Sequence, residues 1–173
     1  DNARIGAFGC SGGGTVTAYL AALDARVKAA AVACYVNDFE HLLAGPGPQD
    51  GEQSIQDFVA SGLDIPFWIE LAAPKPYAVV STTEDMFPFA GARAAVEDAR
   101  PFWNAYGAGD RLQWITGPGG HGALAPISDK IVGFFLRAFD LPADAPSFTP
   151  QHAANPAAMI ASETGQVGGV TIA

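Results

Sequence analysis

The strongest fold signal is the stretch "RIGAFGCSGGGTVTAYLAALD", residues 4–24. Its first part is short and apolar, as in a β-strand, and its last part has the composition of a helix. Between these parts, four glycines surround a single serine: Gly9, Gly12, Gly13 and Gly14 around Ser11. The segment therefore predicts a strand that turns tightly into a helix, with a serine at the turn.

Residues 9–13 fit the pattern G-x-S-x-G, which is known as the nucleophile elbow. The serine of this motif lies on a strained strand-to-helix turn that exposes its hydroxyl above the sheet. Glycine is expected two residues before and two residues after Ser11, because the backbone there passes too close to itself for a side chain. The N–H of Gly12 lies at the start of the helix and can donate to a developing oxyanion. Ser11 is therefore a candidate nucleophile and Gly12 a candidate oxyanion donor.

Nucleotide-binding motifs fit these glycines less well. The segment lacks the dinucleotide-binding pattern G-x-G-x-x-G, and Thr15 follows Gly14 where a phosphate-binding loop has lysine. A glycine-rich turn with an incidental serine stays open, because a five-residue pattern recurs by chance. A suitable base and acid further along the chain would favour the elbow.

A serine nucleophile needs a base, and the chain has three histidines. In hydrolases with this elbow the acid and then the histidine follow the serine along the chain. His121 lies in "TGPGGHGAL", after a predicted strand and among glycines that let a loop carry the imidazole over the sheet. His41 on a short helical segment and His152 in a proline-rich tail are typical of solvated or packing residues. His121 is therefore the predicted base.

The orienting acid is predicted in "TTEDMF", where a strand opens into a loop. Asp85 is favoured over Glu84, because its shorter side chain suits the histidine Nδ1–H and the apolar Met86 and Phe87 can keep the ion pair dry. Glu84 is then expected to face solvent. Two acidic residues of an earlier loop remain alternatives: Asp50 and Glu52. Asp85 thus completes a predicted catalytic triad of serine, aspartate and histidine.

Short apolar runs alternate with longer helical patterns along the chain, which is typical of a parallel sheet flanked by helices. The predicted strands are residues 4–9, 29–35, 77–82 and 112–116, and the predicted helices are residues 15–23, 38–43, 55–61, 64–73, 91–106 and 128–139. An α/β catalytic unit over residues 1–140 is expected to precede an extension rich in proline, alanine and glycine over residues 141–173.

Composition and charge exclude several classes of partner. With 173 residues, 49% hydrophobic and 16% charged, the chain can bury a sizeable core. A net charge of −9 without a cluster of basic residues predicts that nucleic acid is repelled. No apolar run approaches the roughly 20 residues of a membrane span. Nucleic acid and a membrane are therefore not expected as partners, which leaves a small molecule or a polysaccharide open.

Aromatic residues are candidates for a substrate-binding surface. Phe39, Trp68 and Phe87 are interpreted as lining a sugar-binding cleft, together with Phe67. Aromatic residues at such spacing more often belong to a core, so this alternative stays open.

The chain has two cysteines, Cys10 and Cys34, which are too few and too far apart for a zinc site. No metal is predicted. The strands that carry them are expected to be parallel neighbours about 4.8 Å apart, which permits a disulfide if both side chains point to the same face. Two buried thiols are favoured over the bridge.

Several segments together resemble one known family. The segments "GCSGGGT", "CYVNDFEHLL", "GPQDGEQ", "APKPY", "TTEDMFPFAGAR" and "GHG" are similar to bacterial acetyl xylan esterase-like α/β-hydrolases. These are relatives of carbohydrate esterases, glucuronoyl esterases and prolyl oligopeptidases. The resemblance implies Ser11, Asp85 and His121 as the triad of a serine esterase for carbohydrate esters such as acetylated xylan, without metal or organic cofactor. Cys10 departs from the family, since many relatives have asparagine there.

The resemblance also implies that the chain is the C-terminal half of a catalytic domain. In the α/β-hydrolase fold the elbow follows the fifth strand, so earlier strands are expected before residue 4. Without them the strand over residues 4–9 has an unpaired apolar edge, and the missing N-terminal half is the expected partner. Because such relatives are often exported, a secreted or periplasmic location is favoured. A prolyl oligopeptidase-like peptidase and a non-catalytic binding module stay open.

Overall fold

The computed structural model describes residues 1–45 and 50–143, which form a four-stranded parallel sheet flanked by helices. The strands are β1 (Ile5–Cys10), β2 (Val27–Ala33), β3 (Tyr77–Thr82) and β4 (Leu112–Gly117), and they lie side by side in chain order. Every neighbouring pair is parallel. The helices are α1 (Gly12–Leu23), α2 (Phe39–Ala44), α3 (Pro66–Ala72), α4 (Phe89–Ala105) and α5 (Ser128–Ala138). The predicted fold class is confirmed.

Strand β2 separates two cores. Because side chains alternate along a strand, Ala30 and Val32 enter a core with α1, α3 and α4, whereas Ala29 and Ala31 enter another core with α5. A strand that is buried on both faces needs apolar residues in succession. This explains the nearly continuous apolar run "VKAAAVACYV" in the sequence.

The predicted helix over residues 55–61 is wrong, because this segment forms successive turns. Asp57 and Gly62 have φ angles of 60° and 76°, in the left-handed region that interrupts a right-handed helix. Phe58 is nevertheless buried and packs against the other aromatic residues of this layer. The apolar pattern therefore identified a buried position but not its backbone conformation.

Strand β1 lies at an edge of the sheet. Among the described residues β1 pairs with β2 and with no other strand. Phe8 on this strand is 51% exposed, and Ile5 is also exposed. The predicted apolar edge is therefore present in the described part of the chain.

Of the predicted extension over residues 141–173, residues 144–173 lie outside the described residues, and His152 lies there with them. Within the ranges that are described, no helix is long and apolar enough to cross a membrane.

Candidate active site

Ser11 occupies the turn between β1 and α1. Its φ of 60° and ψ of −126° lie in a region that residues with a side chain rarely adopt, so the turn is strained. Its N–H donates to the carbonyl of Ala33 at the end of β2, at 3.0 Å. A serine at the N-cap of a helix ordinarily caps it with its hydroxyl, but Ser11 makes no such bond. The strained backbone thus leaves the Ser11 hydroxyl free of the helix that follows.

Two glycines make this turn sterically possible. A Cβ atom at Gly9 would overlap the carbonyl of Gly13, and a Cβ atom at Gly14 would overlap the carbonyl of Ala33. At Gly13 an added Cβ would meet no atom within 4 Å. The expectation that Gly13 is sterically required is therefore wrong. The close approach occurs one residue later, where α1 packs on the end of β2.

Gly12 is the first residue of α1. The N–H groups in the first turn of a helix have no acceptor within the helix, and they lie at its positive end. The Gly12 N–H therefore follows Ser11 directly and can donate to a negatively charged oxygen beside it.

Asp85 and His121 are joined by a hydrogen bond of 2.8 Å between Nδ1 of the histidine and Oδ1 of the aspartate. Asp85 follows β3, and its side chain is 3% exposed. His121 follows β4, and its side chain is 31% exposed. The backbone N–H of Phe87 also donates to Asp85 Oδ1, at 3.1 Å. The carboxylate is thus held on the inner side of the imidazole, while part of the ring reaches solvent.

Hydrogen bonds to backbone carbonyls fix the two loops that carry Asp85 and His121. The N–H of Glu84 donates to the Gly119 carbonyl at 2.9 Å, and the Thr82 hydroxyl donates to the Gly120 carbonyl at 3.0 Å. Gly119 and Gly122 have φ angles of 109° and 76°, which only glycine adopts without strain. The glycines around His121 therefore serve the loop geometry, and the Glu84 side chain is exposed as expected.

The nucleophile candidate and the Asp85–His121 pair share one end of the sheet. Ser11, Asp85 and His121 each follow a strand. Parallel strands have their carboxyl ends at the same end of the sheet. Among the described residues no hydrogen bond joins the Ser11 hydroxyl to His121. Direct contact between Ser11 and His121 therefore stays a prediction. Of the competing acids, Asp50 is exposed beside a short 3-10 helix, and Glu52 belongs to that helix.

A second histidine–aspartate pair lies at the start of α2. His41 Nδ1 is 2.8 Å from both carboxylate oxygens of Asp38. Asp38 is the N-cap of α2 and also accepts the backbone N–H of His41 at 2.7 Å. This pair therefore belongs to the capping of one short helix.

The aromatic candidates divide into two groups. Phe87 is buried, and its ring centroid is 5.8 Å from that of His121. Trp68 stacks on Phe58 at 5.4 Å, and both Trp68 and Phe39 pack against the core on the α3 and α4 side. Phe87 thus lies beside the Asp85–His121 pair, whereas the other two have clear packing roles.

The structure adds Cys34 to the surroundings of this pair. Cys34 directly follows β2, is buried and has a φ of 52°. Burial raises the pKa of its thiol, and the neighbouring Cys10 thiol raises it further. Cys34 Sγ, a carboxylate oxygen of Asp85 and a ring nitrogen of His121 lie within 4.8 Å of one another. The signal that was available in the sequence is the position of Cys34 at the end of a strand.

Both cysteines are free, with Cys10 half-buried and Cys34 buried. Their strands are parallel neighbours, as predicted, and Cys10 is level with Ala33. Cys34 is thus one residue beyond the register partner of Cys10.

Comparisons with known proteins identify the architecture. No protein-family model matches the chain, and no curated protein matches it. Among solved structures, a family 15 glucuronoyl esterase from Caldicellulosiruptor kristjansonii superimposes with a TM-score of 0.71 and 17% identity, over 91% of this chain and 49% of that one. Methylesterase BT1017 superimposes with a TM-score of 0.64 and 28% identity, over 82% of this chain and 31% of that one.

A peptidase has the same architecture. The acylaminoacyl peptidase of Pyrococcus horikoshii superimposes with a TM-score of 0.59 and 16% identity, over 85% of this chain and 26% of that one. The chain thus spans half or less of the length of these solved structures. Its parallel sheet, its helices and its neighbours agree, and the chain has the α/β-hydrolase fold.

Proposed function

We propose that this chain carries the catalytic residues of a serine hydrolase that cleaves carboxylic esters through an acyl-enzyme. Ser11 is the nucleophile, His121 the general base, Asp85 its orienting acid and the Gly12 N–H an oxyanion donor. The observation that carries the proposal is the hydrogen bond between Asp85 and His121, at the sheet edge where Ser11 occupies its strained turn.

The tautomer of His121 follows from that hydrogen bond. A carboxylate accepts, so Nδ1 of neutral His121 carries the proton and Nε2 keeps its lone pair. When Ser11 Oγ attacks the ester carbonyl, Nε2 takes the hydroxyl proton and Asp85 stabilises the resulting imidazolium. The proton then passes to the leaving alcohol, and Ser11 retains the acyl group. Nε2 then takes a proton from water, which attacks the acyl-enzyme. As the acid leaves, Nε2 returns this proton to Ser11 Oγ.

The proposed substrates are esters of carbohydrates. Several structural neighbours are glucuronoyl esterases, and another is a methylesterase. These names support uronic acid esters beside the acetylated xylan that the sequence resemblance implies. The second candidate function is a serine peptidase, because the acylaminoacyl peptidase is similar in structure and the same triad cleaves amides.

A fluorophosphonate probe and intact mass measurement test the nucleophile. We expect one adduct on the purified chain, its loss in Ser11→Ala and its retention in Ser61→Ala, because Ser61 is exposed on a turn that precedes α3. In the active enzyme Ser11→Ala should lower kcat/KM by about 10⁴-fold or more with the fold intact. If a longer form that contains the preceding half also folds and stays unlabelled, the chain is instead a non-catalytic binding module.

The leaving group then separates the candidate substrates. Hydrolysis rates for acetylated xylo-oligosaccharide, a methyl glucuronate and an acyl-peptide amide are compared on the same preparation. The proposal expects turnover of at least one ester above the Ser11→Ala background. Turnover of the amide alone would assign a peptidase.

We also infer that the free edge of β1 pairs with a strand from the preceding half of a complete catalytic domain. The exposed Phe8 on this edge and the greater length of the structural neighbours support this inference. Hydrogen exchange of the β1 amides in this chain and in a longer form tests it. Protection only in the longer form is expected, and equal exchange would contradict it.

A further inference from the structure

Three side chains of different chemistry meet at the ends of β2, β3 and β4. The thiol of Cys34, the carboxylate of Asp85 and the imidazole of His121 each place a ligand atom within 4.8 Å of the other two. A thiolate, an imidazole and a carboxylate are the three protein ligands of zinc, which binds them at about 2.0–2.3 Å. Four-coordinate zinc with three protein ligands keeps one position for water.

We propose that Cys34, Asp85 and His121 form a binding site for a soft divalent metal ion of the zinc class. The Cys34 thiol gives its proton to solvent when the metal binds. The thiolate and the Asp85 carboxylate then balance the two positive charges of the metal, and His121 binds as neutral imidazole. The three ligand atoms lie within 4.8 Å of one another, and a metal that takes Nδ1 replaces the 2.8 Å hydrogen bond between His121 and Asp85.

Cys34 distinguishes this site from the other His–Asp pair. His41 and Asp38 have the same 2.8 Å contact, but no cysteine joins them among the residues that the structure describes. Carboxylate and imidazole alone bind zinc less selectively than a set that includes thiolate. The site at Cys34 is therefore expected to prefer soft metals, whereas the Asp38–His41 pair is not.

Cysteine spacing along the chain predicted no zinc site, because two cysteines are too few for a cysteine-rich one. The fold instead brings one cysteine to a histidine and an aspartate from two other strand ends. Their separations along the chain are 51 and 87 residues, the differences between 85 and 34 and between 121 and 34. A ligand set of mixed chemistry at such separations has no spacing signature in the sequence.

Metal binding would inhibit hydrolysis, a consequence that rests on the proposed function. If the metal takes Nδ1 of His121, the ring proton moves to Nε2. If the metal takes Nε2, it occupies the base directly. In both cases Nε2 no longer accepts the Ser11 proton, so the metal-bound enzyme lacks its general base.

Cadmium titration of the purified chain tests the metal site without using activity. A cadmium–thiolate bond absorbs in the ultraviolet, and zinc displaces cadmium from the same ligands. We expect one saturable site, loss of the thiolate band in Cys34→Ala, and an affinity measured by calorimetry that is at least about 10-fold lower in Cys34→Ala and in His121→Gln. Cys10→Ala and His41→Ala are the matched controls. His41→Ala should bind as the wild type does, and Cys10→Ala at least as tightly, because the Cys10 thiol raises the pKa of the Cys34 thiol. Circular dichroism of each variant verifies folding.

The outcomes separate the alternatives. If wild type shows no thiolate band, or if Cys34→Ala and His121→Gln bind as tightly as wild type, the site is wrong. An equal loss in Cys10→Ala would assign a two-thiol site and overturn the three-ligand assignment. Zinc inhibition of ester hydrolysis, relieved by a chelator, is then measured separately. Thiolate binding without inhibition would contradict the proposed function of His121 while leaving the metal site in place.

Discussion

The part of the chain that the structure describes contains two histidine–aspartate pairs of similar local geometry. In both, Nδ1 lies 2.8 Å from a carboxylate oxygen, and the histidine side chains are 31% exposed at His121 and 39% exposed at His41. Asp38 and His41 are three residues apart on one helix end, whereas Asp85 and His121 are 36 residues apart on two loops. Asp85 and His121 follow two different strands, whereas Asp38 and His41 both belong to the start of α2.

A His–Asp contact alone therefore does not indicate catalysis. Asp38 serves α2, since it accepts a backbone N–H of the helix as well as the imidazole. Asp85 instead joins the loops that follow two different strands. We therefore expect variants of the Asp85–His121 pair to lower activity, and variants of the Asp38–His41 pair to lower stability with little effect on activity.

The largest expected loss of activity comes from His121, and His41 is its control. His121→Ala should lower kcat/KM for an active ester substrate by about 10⁴-fold or more, because the general base is removed. His41→Ala should leave kcat/KM close to the wild-type value. Steady-state kinetics on both variants check this contrast, and a comparable loss in both would remove the distinction between the pairs.

The next largest expected effect on kcat separates the two aspartates, Asp85 and Asp38. Asp85→Asn should lower kcat by about 10³-fold or more, since the amide no longer stabilises the imidazolium or the required tautomer. Asp38→Asn is the control, because asparagine remains a good N-cap. Glu52→Gln tests the alternative acid. If Glu52→Gln is severely impaired while Asp85→Asn is nearly normal, the acid comes from the earlier loop.

The elbow glycines give a smaller, geometric effect. Gly9→Ala must move the Gly13 carbonyl and with it Ser11, so kcat should fall on the order of 10²-fold. Gly13→Ala meets open space and should be tolerated. Kinetics and fluorophosphonate labelling rates compare the two. Equal losses would show that clearance at Gly9 does not set the position of the nucleophile.

Thr82 tests the role of the loops. Thr82→Val keeps the shape but removes the hydroxyl, which donates to the Gly120 carbonyl at 3.0 Å and also lies 3.3 Å from Asp85 Oδ2. Loss of one such hydrogen bond, about 1 kcal/mol, should lower kcat about fivefold if all of it is lost in the transition state. The nucleophilic labelling rate should fall in parallel. An unchanged rate would show that the loop of His121 is held by its backbone contacts alone.

The smallest expected effect is on stability and belongs to the local pair. Asp38→Ala removes the N-cap of α2 and should lower the free energy of unfolding by about 1 kcal/mol. Denaturant unfolding measures this change, and kcat/KM should stay near wild type. A large catalytic loss in this folded variant would contradict the assignment of Asp38 to helix capping.

Much of the fold could be predicted from sequence because its signals are local. Apolar runs and helical periodicity located the four strands of residues 1–45 and 50–143, and 77–82 matches the bounds of β3. The turns over residues 55–61 could not be predicted, because the spacing of apolar residues does not show that the backbone of Asp57 is left-handed. The sequence also did not show that glycine is required at position 14 rather than 13. This requirement comes from the Ala33 carbonyl, which belongs to another strand.

Local sequence was enough to predict the alternation of strands and helices, the glycine-rich turn at Ser11 and the loop positions of Asp85 and His121, because each depends on neighbouring residues. The sequence also favoured Asp85 and His121 over His41, but it could not predict that Cys34 lies beside them, because this follows from the tertiary structure alone. Parallel pairing brings the carboxyl ends of strands together that are far apart in the chain. Chemistry that needs several side chains in one place therefore emerges only when the strands have paired.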